Sequence, residues 1–126
     1  MEEIVVTIPR AKPFGAVAGL VLGGVAARHE LTIEVLDDLQ LALETLLGRD
    51  AGEGSVSIEL RVGGGTVDAS VGPFARAAVA ELERGDDSAL GLHRLLTTVV
   101  DEVRLADRDG DVWVDLRKDY VEAQAA

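Results

Sequence analysis

The sequence of 126 residues contains no cysteine and few aromatic side chains, and both features restrict what the protein can do. Without cysteine, disulfide bonds, thiol catalysis and cysteine-based zinc sites are excluded. Aromatic residues make up only 3% of a chain that is 48% hydrophobic, so its core must be mainly aliphatic. This length and composition predict a single compact domain over 1–126.

Basic charge is also scarce, with 12 Lys and Arg against 23 Asp and Glu, a net charge of −11. This balance argues against a nucleic-acid partner, because phosphate binding needs clustered basic side chains. Two histidines are too few for a histidine-based metal site, so no metal is predicted. The uncharged run Phe14–Ala27 is shorter than the roughly 20 residues that cross a bilayer, and the acidic start is unlike a signal peptide. We therefore expect a cytoplasmic protein with no membrane segment.

The first half of the chain predicts one strand followed by two helices. Ile4–Ile8 is β-branched and is stopped by Pro9, which indicates a strand. A first helix is predicted over Pro13–Arg28, with glycines that favour close packing against another helix. Thr32 is a candidate cap for a second helix, whose leucines recur at helical spacing up to Gly48.

The second half predicts two β-hairpins separated by two helices. Glycine-rich or Asp-Gly turns indicate the hairpins, since such turns supply positive φ angles. The predicted elements are strands Ser55–Val62 and Thr66–Val71, helices Pro73–Glu83 and Ala89–Val100, and strands Val103–Leu105 and Val112–Leu116. Hairpin pairing predicts an α+β two-layer sandwich, in which a mixed, mostly antiparallel sheet is covered on one face by helices.

The order of several segments resembles that of the bacterial anti-sigma factors, which are small serine kinases of the histidine-kinase-like (Bergerat) ATPase superfamily. The segments that carry this resemblance are Asp37–Glu44, Val67–Phe74, Ala89–Leu96, Val100–Val103 and a last strand ending in Leu116–Lys118. The resemblance covers nearly the whole chain in element order. It implies the histidine-kinase-like fold, with ATP bound between the helices and a lid.

In the resembled family, a Glu on the second helix polarises a water or a substrate hydroxyl, and an Asn four residues later binds the Mg²⁺ on the phosphates. The corresponding positions here hold Thr45 and Arg49, while Glu44 stands one residue early and is followed four residues later by Gly48. The Mg²⁺ ligand is therefore missing in either register, and no catalytic residue is predicted. Arg49 could instead pair with a phosphate, or be a solvated arginine at a helix end.

Two further family motifs are partly kept, and they provide the predicted nucleotide-binding residues. The D-x-G-x-G motif, which contacts adenine, corresponds to a segment that retains Asp68 and Gly72 but has Ser70 for the first glycine. The G-x-G-L turn, which meets the phosphates, retains Gly91 and Leu92. The alternative interpretations are a solvated Asp68 near a strand end and a helix start capped by the acidic segment that precedes it.

The resemblance implies a regulatory module that sequesters a sigma factor or binds an anti-anti-sigma protein, with a degenerate, inactive site for ATP or ADP. A homodimer is also implied. Two alternatives remain open: an active serine kinase that uses Glu44, and a dimeric adaptor of the same fold that binds no nucleotide. The acidic helix that carries Glu34, Asp37, Asp38 and Glu44 either faces a basic partner or is simply solvated.

Overall fold

Five strands and three α-helices form the described part of the chain, which comprises residues 2–9, 15–48, 54–80, 82 and 91–121 of a computed structural model. In chain order the elements are β1 (Glu2–Pro9), α1 (Gly15–His29), α2 (Ile33–Leu47), β2 (Ser55–Gly63), β3 (Thr66–Phe74), a 3₁₀ helix (Arg76–Val79), α3 (Leu92–Val99), β4 (Glu102–Arg108) and β5 (Asp111–Asp119). None of the helices among these residues is both long and apolar enough to span a membrane.

The strands form one sheet in the order β1-β2-β3-β5-β4. Every described pairing is antiparallel. Both predicted hairpins are confirmed, and their turns contain the expected positive φ angles at Gly64 (64°), Gly65 (80°) and Gly110 (87°). The predicted α+β two-layer fold is therefore confirmed.

The core lies between the helices and one face of the sheet. Alternate residues of the three central strands point into it, as the two-residue period of a strand requires. The members from these strands are Val56, Ile58, Leu60, Val62, Val67, Ala69, Val71, Phe74, Val112, Val114 and Leu116, and α2 contributes Leu39, Ala42, Leu43 and Leu46. Apart from Phe74 these side chains are aliphatic, as the composition predicts, and burying each large one contributes about 1.5–3 kcal/mol.

Helix α2 begins and ends at the residues that the sequence indicates. The Thr32 hydroxyl accepts a hydrogen bond from the backbone N–H of Val35 at 3.2 Å, which satisfies one of the free donors of the first turn. At the other end, the N–H of Gly48 donates to the Glu44 carbonyl at 3.0 Å. The predicted cap and end of this helix are thus both confirmed.

The helix predicted over 73–83 is wrong at its start, because β3 continues through Phe74. Phe74 pairs with Val112 of β5 and is buried in the core, so pairing within the sheet overrides the local helical pattern. A 3₁₀ helix follows at Arg76–Val79, and Ala80 and Leu82, the next described residues of the predicted helix, are helical. The next helix, α3, is described from Leu92, and its predicted first residue, Ala89, lies outside the described residues.

A group of charged side chains connects the end of α1 to the start of β1. The Glu2 carboxylate accepts hydrogen bonds from Arg28 Nε at 3.0 Å, and its Oε1 lies 2.8 Å from His29 Nε2. The hydrogen bonds to Arg28 and then to His29 hold the pKa of the Glu2 carboxyl below its ordinary value. The ionised carboxylate thereby links the sheet edge to the helix layer.

The glycines of α1 differ in what surrounds them. At Gly19 an added Cβ would lie 3.2 Å from Nε2 of Gln40 on α2, so this glycine does mark a close approach of the two helices. At Gly23 an added Cβ would meet no atom within 4 Å. The predicted role in close helix packing therefore holds for Gly19 but does not extend to Gly23.

We expect Gly23→Ala to stabilise the protein by about 1 kcal/mol, because alanine has the higher helix propensity and no neighbour obstructs its methyl group. Chemical denaturation monitored by circular dichroism measures the change. Gly19→Ala is the matched control, and its gain should be smaller because Gln40 must move. Equal gains for the two variants would contradict the difference in packing.

Candidate functional site

One part of the nucleotide site that the family resemblance predicts lies at the end of α2. The Glu44 side chain is exposed and its carboxylate accepts a hydrogen bond from Gln40 Nε2 at 3.2 Å. The Thr45 hydroxyl donates to the Leu41 carbonyl at 2.7 Å, as hydroxyls within helices commonly do. Arg49 lies outside the described residues. Both described side chains are therefore engaged within their own helix.

Asp68 is the third of the nine residues of β3. Its neighbours Val67 and Ala69 are buried in the core, so alternation along the strand directs Asp68 to the opposite face of the sheet. In the sheet register it stands between Arg61 of β2 and Arg117 of β5. We call this face, which is the one opposite the helices, the open face.

Gly72 also belongs to the open face, where it lies beneath the only tryptophan of the chain. A Cβ at Gly72 would be 2.5 Å from Cδ2 and 2.7 Å from Cγ of Trp113, closer than any side chain permits. The Arg108 guanidinium lies 4.2 Å from the centroid of the same indole, within the range of a cation–π contact. Arg108 Nη1 is also 3.0 Å from Glu59 Oε1. In this structure Gly72 thus provides space for an aromatic ring.

Gly91 and Leu92 form the start of α3. Gly91 is its N-cap and has an extended backbone, but as a glycine it has no side chain that could cap the helix. The acidic segment that was the alternative cap lies outside the described residues. Leu92 is fully buried in the core. Leu92 therefore lies on the helix side of the sheet, whereas Asp68 lies on the open face.

The structure thus brings the four predicted nucleotide-binding residues together only in two pairs. Asp68 and Gly72 share the open face, and Gly91 and Leu92 share the start of α3 on the other side of the sheet. Their assignment to ATP or ADP stays a prediction. No cluster of three or more metal-ligating side chains is found among the described residues.

Charged side chains of alternating sign cross the open face in one row. In register order from β1 to β4 they are Glu3, Arg61, Asp68, Arg117 and Glu102. Opposite charges on neighbouring strands attract, and Arg117 Nη1 approaches Glu102 Oε2 to 2.9 Å. Motif reasoning missed this row because its members come from five separate strands. The alternation of polar residues along each strand is the signal that could have indicated it.

Comparison of the coordinates with solved structures finds the same fold in a crystal structure of the RsbU and RsbW domains of Rv1364c from Mycobacterium tuberculosis. The TM-score is 0.69 and the sequence identity is 15%. The match covers 94% of this chain and 32% of the other, so this chain spans about a third of that protein. At this identity the match shows a shared fold.

Comparisons at the level of sequence give no match. No protein-family model matches the chain. No curated protein matches it either. The likeness to the RsbU and RsbW structure is thus a likeness of fold.

We expect Gly72→Ala to displace the Trp113 indole and to destabilise the protein by about 1–3 kcal/mol, as overpacking does. Because the chain has a single tryptophan, its fluorescence emission reports the displacement directly. Gly23→Ala, a glycine-to-alanine change in α1, is the matched control and should leave the emission unchanged. Unaltered emission in Gly72→Ala would contradict the packing described here.

Proposed function

We propose that this chain is a regulatory protein-binding module of the anti-sigma type, with an ATP site that is degenerate and inactive. It sequesters a sigma factor or binds an anti-anti-sigma protein in the cytoplasm, and it acts as a homodimer. The observation that carries the proposal is the shared fold with a structure containing an RsbW domain, over 94% of this chain. The order of the segments that resemble anti-sigma factors supports it independently.

The inactivity of the nucleotide site is supported by the residues found at the positions where the resembled family has its catalytic Glu and its Mg²⁺ ligand. Thr45 occupies the position of the polarising Glu and donates to its own helix. The neighbouring Glu44 is held by Gln40, and the residue four positions later is Gly48, which has no side chain to hold Mg²⁺. Asp68 faces away from the helix layer in which α3 begins.

A surface for a partner is offered by the outer side of α2. Ile33 and Leu41 are large apolar residues with 75% and 52% of their surfaces exposed. Asp37 and Glu44 are also exposed and recur with them at intervals of three and four residues, which places all four on one side of the helix. An apolar stripe with acidic neighbours suits a partner that presents apolar and basic side chains.

Asp38 belongs to a different interaction from the rest of the acidic residues of α2. Its Oδ2 lies 3.0 Å from Nζ of Lys118, and the Lys118 side chain is only 17% exposed. This pair joins the helix to β5. Of the acidic residues predicted to face a partner, Glu34, Asp37 and Glu44 are exposed, whereas Asp38 has a contact within the fold.

We expect affinity purification of the tagged protein from its source cell, followed by mass spectrometry, to recover a sigma factor or an anti-anti-sigma protein. Asp37→Lys and Leu41→Asp should each reduce that recovery, because one reverses a charge and the other removes an apolar contact.

Glu3→Lys is the matched control for this experiment, since Glu3 is exposed on β1 and belongs to the open face, opposite the helices. It should leave recovery unchanged. Recovery of neither class of protein would refute the anti-sigma function, and equal recovery by all variants would remove α2 from the interface.

We expect calorimetric titration with ATP or ADP, with and without Mg²⁺, to give no heat of binding at millimolar nucleotide. This expectation follows from the missing Mg²⁺ ligand and from the separation of Asp68 from Gly91. Binding that is lost in Asp68→Asn would contradict it. If the protein transfers phosphate to an anti-anti-sigma protein and Glu44→Ala abolishes the transfer, the active kinase is established instead. If the protein binds neither nucleotide nor either partner, the dimeric adaptor is favoured.

A further inference from the structure

A pocket of about 550 Å³ lies in the open face, away from the helices and from α2. Strands β2, β3, β5 and β4 contribute to its lining. Ser70 and Asp115 stand opposite each other in the register of β3 and β5, which places them side by side at one end of its lining. The volume is within the range of small-molecule sites in proteins, which is about 300–1,000 Å³.

Neither of these two side chains has a hydrogen-bond partner among the described residues. Asp115 Oδ1 is buried without one. Ser70 is only 4% exposed, lines the pocket and forms no side-chain hydrogen bond with the described part of the chain. An unsatisfied buried polar group costs about 1–3 kcal/mol, more if it is charged. This end of the pocket therefore presents acceptor oxygens to which a ligand could donate hydrogen bonds.

The charged side chains of the pocket are unequally paired. Arg104 and Arg117 both pair with the carboxylate of Glu102, and Arg104 also stands opposite Asp115 in the register of β4 and β5 without a hydrogen bond to its buried Oδ1. On the other side, Arg61 and Asp68 are opposite in register, yet neither forms an ion pair with a described residue. The charged groups of the lining without an ion pair among the described residues are thus the carboxylates of Asp68 and Asp115 and the Arg61 guanidinium.

We propose that this pocket binds a small zwitterion that carries a primary ammonium group and a carboxylate. The ammonium group has three donors and no acceptor, so it matches Asp115 Oδ1, the Ser70 hydroxyl and Asp68. The carboxylate of the ligand pairs with the Arg61 guanidinium.

Ligands of a single charge fit this arrangement less well. A simple anion would meet the carboxylates of Asp68 and Asp115, and a simple cation would make no use of the Arg61 guanidinium that lines the same pocket. The pocket's carboxylates do not form a metal-ligating cluster within the described residues, which argues against a bare metal ion. The proposal is independent of the anti-sigma function, because it rests on other side chains on the opposite face of the sheet.

The test is a titration of the purified protein with ω-amino acids of increasing length: glycine, 3-aminopropanoate and 4-aminobutanoate. Butylamine and butanoate are the matched probes that each lack one charge. We expect ¹H–¹⁵N spectra to show shifts at Ser70 and Asp115 with at least one amino acid at millimolar concentration. The single-charge probes should bind about tenfold more weakly or not at all, which corresponds to about 1.4 kcal/mol for each ion pair lost.

Two substitutions examine the two ends of the ligand separately. Asp115→Asn should abolish binding of the amino acid while maintaining or raising the thermal midpoint, because it removes the charge of a half-buried carboxylate whose Oδ1 has no hydrogen-bond partner among the described residues. Arg61→Gln should reduce the affinity for the amino acid to that for butylamine. Glu34→Gln, on α2, is the control and should leave binding unchanged.

Three outcomes would overturn the proposal. The first is the absence of spectral shifts with every amino acid, and the second is equal binding of the amino acid and butylamine by the unaltered protein. The third is a loss of thermal stability in Asp115→Asn together with unchanged binding, which would give Asp115 a structural role only. Partner recovery by affinity purification is unaffected by any of these results, so the two proposals fail separately.

Discussion

The two-residue period of the central strands is the constraint on which the rest of the structure depends. Because the core is almost entirely aliphatic, β2, β3 and β5 must direct every second side chain toward the helices. The intervening positions then share the other face, and their residues are mostly charged or polar. A shift of one residue in register would bury Asp68 or Asp115 in a core that offers no partner. The apolar pattern thus sets where the charges lie.

This constraint explains why the retained motif letters do not form one site. Asp68 and Gly72 are both even-numbered positions of β3 and share the open face, whereas Leu92 joins the core on the helix side. A motif describes spacing along the chain, but the face of a strand on which a residue lies depends on its register with its neighbours. Here the sheet lies between the two pairs of predicted nucleotide-binding residues. Gly72 lies beneath Trp113, where an added Cβ would collide with the indole.

Much of the fold could be predicted from the sequence because its determinants are local. The turns at Gly64 and Gly110 need positive φ angles, and the cap at Thr32 needs only the next few residues. The end of β3 could not be predicted, since Phe74 is held by Val112, 38 positions further along the chain. The pairing of Ser70 with Asp115 was missed for the same reason, because the two residues are 45 positions apart and no motif contains both.

The two proposed surfaces lie on opposite sides of the molecule, and this limits how they can influence each other. The stripe of α2 and the open-face pocket are separated by the core, so a small ligand in the pocket cannot compete sterically with a partner on the helix. Lys118 connects the sheet directly to the helix that carries the stripe, because it extends from β5 to Asp38 of α2. On β5 it directly follows Arg117, a residue of the pocket. Any coupling between ligand binding and partner binding would therefore have to shift β5, which carries both Arg117 and Lys118, or change the packing of the core itself.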